Sequence, residues 1–172
     1  MVAECIRHTG TNGPIILPVN PSKRMDESNY CVEFGGETID PEKLRYPLTV
    51  GENYPVYGIM FYDGEIRYLI SGDDGIPFFF PNSMFRISQP QIPFDWTIAE
   101  YQIEKSDCWT EKRSAEVSNP GKKVKLFLLA YDTLTENYTN LIELISCCPQ
   151  AVRTYLKYKD SLKSYFSLPI TQ

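Results

Sequence analysis

Between Tyr54 and Ile70 the chain spells out a β-hairpin. Val56, Ile59 and Phe61 lie in one β-type run, Ile66 to Ile70 form the next, and Asp63-Gly64 stands at the reversal. Glycine accepts the positive φ that a two-residue turn demands, and such turns match the twist of their flanking strands. A chain carrying this hairpin has to build an antiparallel sheet around it. Gly58, inside the first strand, predicts a bulge or a sharp bend.

More strands are expected on both sides. Cys5 to Arg7 reads as a short opening strand. Ile15 to Val19 reads as an edge strand, because Pro18 has no N–H for a central ladder. Residues 20–40 are polar and turn-rich, with a strand at Tyr30 to Phe34. Asp40-Pro41 starts a single helical turn that Pro47 ends. Further on, Phe78-Phe79-Phe80 and Met84 to Ile87 are short strands around the turn Pro81-Asn82-Ser83. In Phe94 to Ile103, Trp96 and Ile98 point inward first and Tyr101 and Ile103 later, which predicts a bulge, or a bend near Ala99. Residues 104–123 are charged and turn-rich, and Val124 to Ala130 is a last buried strand.

The C-terminal third changes period. Asn140 and Glu143 resemble a capping box before Leu144 and Ile145. Pro149 opens a second helix, on which Ala151, Val152, Tyr155, Leu156, Leu162 and Phe166 form one stripe. The 172 residues make one α+β domain, long enough to bury a core without staples. It is β-rich over 1–130 and helical over 138–166. The expected architecture is a strongly bent antiparallel sheet, or a small SH3-like barrel, with a C-terminal pair of helices packed on it.

Charge and residue counts narrow the function. A net charge of −5 argues against nucleic acid, whose phosphates need a basic face. Met1 to His8 carries charges and no apolar core, and no run approaches a membrane span, so a cytoplasmic chain without membrane contact is expected. Cys5, Cys31, Cys108, Cys147 and Cys148 are odd in number and form no C-x-x-C pair, which reads as buried free thiols. His8 is the only histidine, which nearly excludes the common metal triads. No nucleophile elbow, G-x-G-x-x-G or P-loop occurs. The chain reads as a non-enzyme with no cofactor.

Gly72-Asp73-Asp74-Gly75 is the one compact acidic cluster. It lacks the spacing of a calcium loop, leaving a structural turn or a partner contact ahead of a metal. Beside it, Phe78-Phe79-Phe80 has two readings. Either the strand is buried on both faces, or Phe78 and Phe80 point outward as aromatic anchors next to Asp73 and Asp74.

Four segments resemble a group of small, largely uncharacterised bacterial proteins. They are Glu4-Cys5-Ile6-Arg7-His8-Thr9-Gly10, Leu48 to Ile59 around Thr49-Val50-Gly51-Glu52-Asn53-Tyr54, Tyr68-Leu69-Ile70-Ser71-Gly72-Asp73-Asp74, and Phe80 to Ile87. Such proteins look like immunity or accessory proteins of toxin systems. The resemblance implies a protein that binds a toxin and occludes its active site, with no catalytic residues to carry over. The expected partner is a basic protein such as a nuclease toxin. Asp73, Asp74, Phe78 and Phe80, with Asp63 and Glu65 on the neighbouring hairpin, are the expected contacts. A peptide-binding adaptor without a toxin is the alternative, and a small enzyme using His8 or the aspartates is the third reading.

Overall fold

The structure is a computed structural model and describes residues 1–8, 46–62, 64–104 and 123–166. The strands expected over 15–19 and 30–34, the turn at Asp40, Asp63, Cys31 and Cys108 lie outside the described residues. The strands are β1 Val2–Cys5, β2 Asn53–Pro55, β3 Gly58–Tyr62, β4 Glu65–Ser71, β5 Pro77–Pro81, β6 Phe85–Gln89, β7 Trp96–Glu104 and β8 Lys123–Tyr131. The helices are α1 Asp132–Thr135, α2 Tyr138–Ile145, α3 Pro149–Ser161 and α4 Lys163–Phe166.

The fold is α+β, as expected. Two antiparallel sheets form, in the orders β2-β1-β6 and β5-β4-β3-β8-β7. They do not close into a barrel. The chain crosses between them at Val56-Tyr57, and again at the 3-10 turn Asn82–Met84. Apolar faces are covered by layering rather than by closure.

The hairpin forms in the expected register, from Gly58 opposite Leu69 to Tyr62 opposite Glu65. Gly64 at its turn has φ 82, which favours glycine. Gly58 makes no bulge, since its ladders on both sides are unbroken. Its role is closeness. A Cβ there would stand 3.1 Å from the Ala130 Cβ and 3.4 Å from that of Leu69.

Alternation along the strands sends apolar side chains to both faces of the five-stranded sheet. One face carries Met60, Leu69, Phe79, Leu126 and Leu128, and packs against Leu134, Leu141, Leu144 and Tyr155 of the helices. The other carries Ile70 and Phe80, and packs against Ala3, Cys5, Met84 and Phe85 of the small sheet and its turn. So Phe78-Phe79-Phe80 is a strand buried on two faces. Its outward reading is corrected: Phe80 is 1% exposed, and its ring meets those of Tyr46, Phe78 and Phe85.

β7 also departs from expectation. It pairs with β8 without a shift, from Trp96 opposite Tyr131 to Glu104 opposite Lys123. The change of parity is not a bulge. Ile103 serves the helix-side core and Trp96 the other core, while Ile98 is 74% exposed.

The helices start where capping is best satisfied. Asn137, not Asn140, caps α2, its side chain accepting from the Asn140 N–H at 2.9 Å. Asn140 instead donates to the Thr133 carbonyl at 2.6 Å. Pro149 opens α3, as expected. On its stripe Tyr155 and Leu162 are buried and Leu156 is exposed, and the Phe166 side chain lies outside the described part. Tyr158 adds a contact that the stripe omitted. It stacks on Tyr131 at 4.3 Å between centroids, accepts from Trp96 Nε1 at 2.8 Å and donates to Asp95 at 3.2 Å. Among the described residues no helix is long and apolar enough to cross a membrane.

Burial pushes the Tyr57 hydroxyl up to about 12, and pushes those of Tyr131, Tyr155 and Tyr158 up as well. An unfolded tyrosine ionises near ~10. Above that pH the unfolded chain has lost protons that the folded chain retains, so stability falls as pH rises. The tyrosine contribution is therefore complete below about pH 10 and is lost from there upward. Urea melts from pH 8 to 12 should show a falling midpoint above that value. Tyrosinate absorbance of the buried rings should appear together with unfolding.

Candidate functional site

Two turns meet at the end of β4. After Ser71 the loop closes on itself: Gly75 N–H donates to the Gly72 carbonyl at 2.9 Å, and Ile76 N–H to Asp74 Oδ1 at 3.0 Å. The second bond is the aspartate turn that the residue type favours. Gly75 has φ 78, a conformation that glycine adopts without strain. The other turn runs from Thr49 to Glu52. Gly51 N–H donates to the Cys5 carbonyl at 2.8 Å, and Cys5 N–H to the Glu52 carbonyl at 2.9 Å, which fastens this turn to β1.

Asp73 laces the two turns together. Its N–H donates to the Pro47 carbonyl at 2.8 Å. Oδ2 accepts from Thr49 Oγ1 at 2.8 Å, and Oδ1 from the Tyr54 hydroxyl at 2.5 Å. The same hydroxyl accepts from the Thr49 N–H at 2.7 Å. Burial, then the carboxylate it donates to, holds the Tyr54 hydroxyl above its ordinary value, so it stays a donor. Gly72 lets the loops approach, since a Cβ there would meet the Pro47 carbonyl oxygen at 2.8 Å.

What projects from this frame is acidic and apolar. Asp74 and Glu52 are exposed, and so are Ile6, Val50 and Ile76. Ile6 follows Cys5, to which the Thr49–Glu52 turn is fastened, and its own N–H donates to the Met84 carbonyl at 2.9 Å. Behind the loop, Lys159 of α3 donates to Ser71 Oγ at 2.9 Å, and that hydroxyl donates to the Gly75 carbonyl at 3.0 Å. Burial and then the Asp74 charge raise the Cys147 thiol, which places Asp74 within electrostatic reach of the α2–α3 connection. The platform is thus clamped from the small sheet on one side and from α3 on the other.

The five described residues among those expected as contacts do not converge. Asp73 is exposed but tied into the frame, both carboxylate oxygens accepting hydrogen bonds. Asp74 shapes its turn with one oxygen and remains exposed. Phe78 is half-buried and Phe80 buried, so these aromatics pack within the structure rather than projecting as anchors beside the loop. Glu65 pairs with Arg67 at 2.7 Å and sits at the far end of β4, about 20 Å from Ser71 at ~3.3 Å per residue. Asp63 lies outside the described residues. Sequence reading missed Thr49, Val50, Glu52, Tyr54 and Ile76 as members of this surface. Thr49 to Tyr54 stood inside a quoted motif, but nothing local marks two hydroxyls that meet an aspartate from another strand.

Sites for chemistry are sparse among the described residues. His8 offers its carbonyl to the Tyr46 N–H at 2.9 Å. No cluster of His, Cys, Asp and Glu suited to a metal ion is present among these residues. Ser71 and Lys159 touch, but the serine proton is directed at a carbonyl rather than at a base. A depression of about 120 Å³ among Tyr131, Asn140, Glu143 and Gln150 is smaller than the roughly 300 Å³ of the smallest usual ligand pockets. The chain matches no family model, no curated protein and no solved structure.

Tyr54→Phe removes a donor to Asp73 and an acceptor for Thr49 together. It should cost about 1–3 kcal/mol and speed amide exchange at Thr49 and Asp73, leaving α3 protected. Uniform exchange across the fold would show that the lacing is not local. Gly72→Ala should loosen the same two turns through its clash with Pro47.

Proposed function

We propose that the chain is a protein-binding inhibitor of the immunity type, which neutralises a basic toxin, such as a nuclease, by covering its active site. The observation that carries this reading is the clamped two-turn platform, with Asp74 and Glu52 projecting among Ile6, Val50 and Ile76. Carboxylates on such a surface accelerate encounter with a basic partner. Apolar side chains among them supply contact area that excludes water. The internal bonds of Asp73 matter because a surface already ordered pays little to bind. The sequence segments that resemble immunity proteins include both turns.

The roles inside the platform differ from those expected of its residues. Asp73 is a positioning residue. Asp74 and Glu52 supply the field. Phe78 and Phe80 support the strand that leaves the loop.

The test begins with capture of a partner from the native host at low and moderate salt, followed by kinetics with the purified pair. Asp74→Asn with Glu52→Gln keeps the turn-forming oxygen and removes two charges. Association should slow about tenfold at low salt, with little change in dissociation. Ile76→Ser should instead speed dissociation. Co-expression of the wild-type chain should protect cells from the captured protein. A partner whose association ignores both charge changes, or one that is harmless to cells, would sink this reading.

A further inference from the structure

The helical layer holds a cavity of its own. Where α1, α2 and α3 meet the end of β8, a depression of about 120 Å³ opens. At ~30 Å³ per water it takes about four heavy groups, too few for a metabolite and enough for one small head group. Its base is apolar, formed by Leu134, Leu144 and Ala151. Leu134 and Leu144 belong to the helix-side core, so packing on the sheet holds the base in place. The described chain stops at Glu104 and resumes at Lys123, about 26 Å along β8 from Tyr131 at ~3.3 Å per residue. The cavity and that break lie at opposite ends of the strand.

Hydrogen bonding sets the chemistry of the rim. Asn140 directs its side-chain amide at the Thr133 carbonyl at 2.6 Å, and Thr154 its hydroxyl at the Gln150 carbonyl at 3.1 Å. Thr133 donates to Asp132 Oδ1 through its N–H at 2.6 Å and its hydroxyl at 3.3 Å. These donors are directed back onto the chain's own turns. What they leave at the rim is acceptors: Asn140 Oδ1, Thr154 Oγ1 and the Glu143 carboxylate. Glu143 is half-buried, and its carboxylate makes no hydrogen bond or ion pair among the described residues. No residue lining the depression is cationic. A carboxylate drawn partly out of water, with acceptors around it, is relieved by a cation that brings several N–H donors.

We infer that this depression binds a guanidinium group carried on a short aliphatic stem. A guanidinium offers five N–H donors in a planar fork and no acceptor, which complements a rim of acceptors. Two of its donors meet the two oxygens of Glu143, as in other bidentate carboxylate pairs. The remaining donors turn to Asn140 and Thr154, and the stem lies against Leu144 and Ala151. An ammonium brings only three donors and gives up a tighter hydration shell on entering. The same head group occurs on protein arginines and on free guanidino compounds. None of these residues belongs to the acidic platform, so the inference stands whether or not the platform binds a toxin.

The experiment is a titration of the full chain followed by two-dimensional amide NMR. Methylguanidinium is the probe, and methylurea, its neutral counterpart of similar shape, is the control. Methylguanidinium at millimolar concentration should shift the side-chain amide signals of Asn140 and Gln150, and methylurea should not. Glu143→Gln keeps the shape of the rim and removes its charge, and should weaken binding tenfold or more. Ala151→Leu fills the depression from its base and should abolish binding while the rest of the spectrum stays that of the folded chain. If that variant misfolds, Glu143→Gln decides. Tighter binding of a capped Gly-Arg-Gly peptide than of methylguanidinium would assign the head group to a protein side chain, and weaker binding to a free guanidino compound; both outcomes support the site. Methylurea or methylammonium binding as tightly as methylguanidinium would overturn the inference. So would undiminished binding to Glu143→Gln, or a wild-type chain that responds to neither methylguanidinium nor the peptide.

Discussion

The pairing of β3 with β8 is the constraint on which the rest depends. It joins the hairpin of the first half of the chain to the helices of the second. Met60 faces Leu128 and Phe61 faces Phe127 across it, so a single ladder places one pair in the helix-side core and the next pair on the opposite face. Gly58 packs closely there, since a Cβ would stand 3.1 Å from that of Ala130 and the neighbouring strand would have to give by a few tenths of an ångström. Once β8 is seated, Tyr131 leads directly into α1, and α2 and α3 fold back over Leu126 and Leu128. Slipping β3 against β8 by one residue would exchange the two faces and strand Met60 and Leu128 in water.

The functional surface inherits its rigidity from this arrangement. β4 pairs with β3, and its end delivers Ser71 and the Gly72–Ile76 loop to a fixed place. Lys159 then ties that end to α3, while the Asp73 carboxylate ties it to the turn before β2. Two layers packed on opposite faces of one sheet thus hold the same loop. This is how a four-residue acidic turn, which alone would sample many shapes, becomes an ordered platform.

Local chemistry explains which expectations held. The reversal between Tyr62 and Glu65 at Gly64, the Pro149 helix start and the α+β class were legible because each depends on neighbours in sequence. A two-residue turn, a proline at a first helical position and a change from period two to period 3.6 all announce themselves within a few residues. The misreadings share the opposite cause. Asn140 followed by Glu143 satisfied the capping pattern, but the helix starts three residues earlier: Asn137 accepts from the Asn140 N–H, and the Asn140 amide, inside the first turn, donates to the Thr133 carbonyl. The change of parity in β7 suggested a bulge, whereas the strand serves two cores on its two faces.

The candidate site shows the same division. The sequence by itself marked Gly72-Asp73-Asp74-Gly75 as an acidic turn, because aspartate and glycine shape turns through bonds to their own backbone. It also marked Phe78-Phe79-Phe80 as a strand, because aromatic residues fill a pleated surface. Only the tertiary structure decided that Phe80 is buried, that Asp73, though exposed, bonds to Thr49 and Tyr54, and that Asp74 and Glu52 are exposed beside it. Those outcomes depend on which layer covers each face of the sheet and on which distant hydroxyls reach the carboxylate. Alternation tells a strand that it has two sides, and the packing of other elements determines which of them meets water.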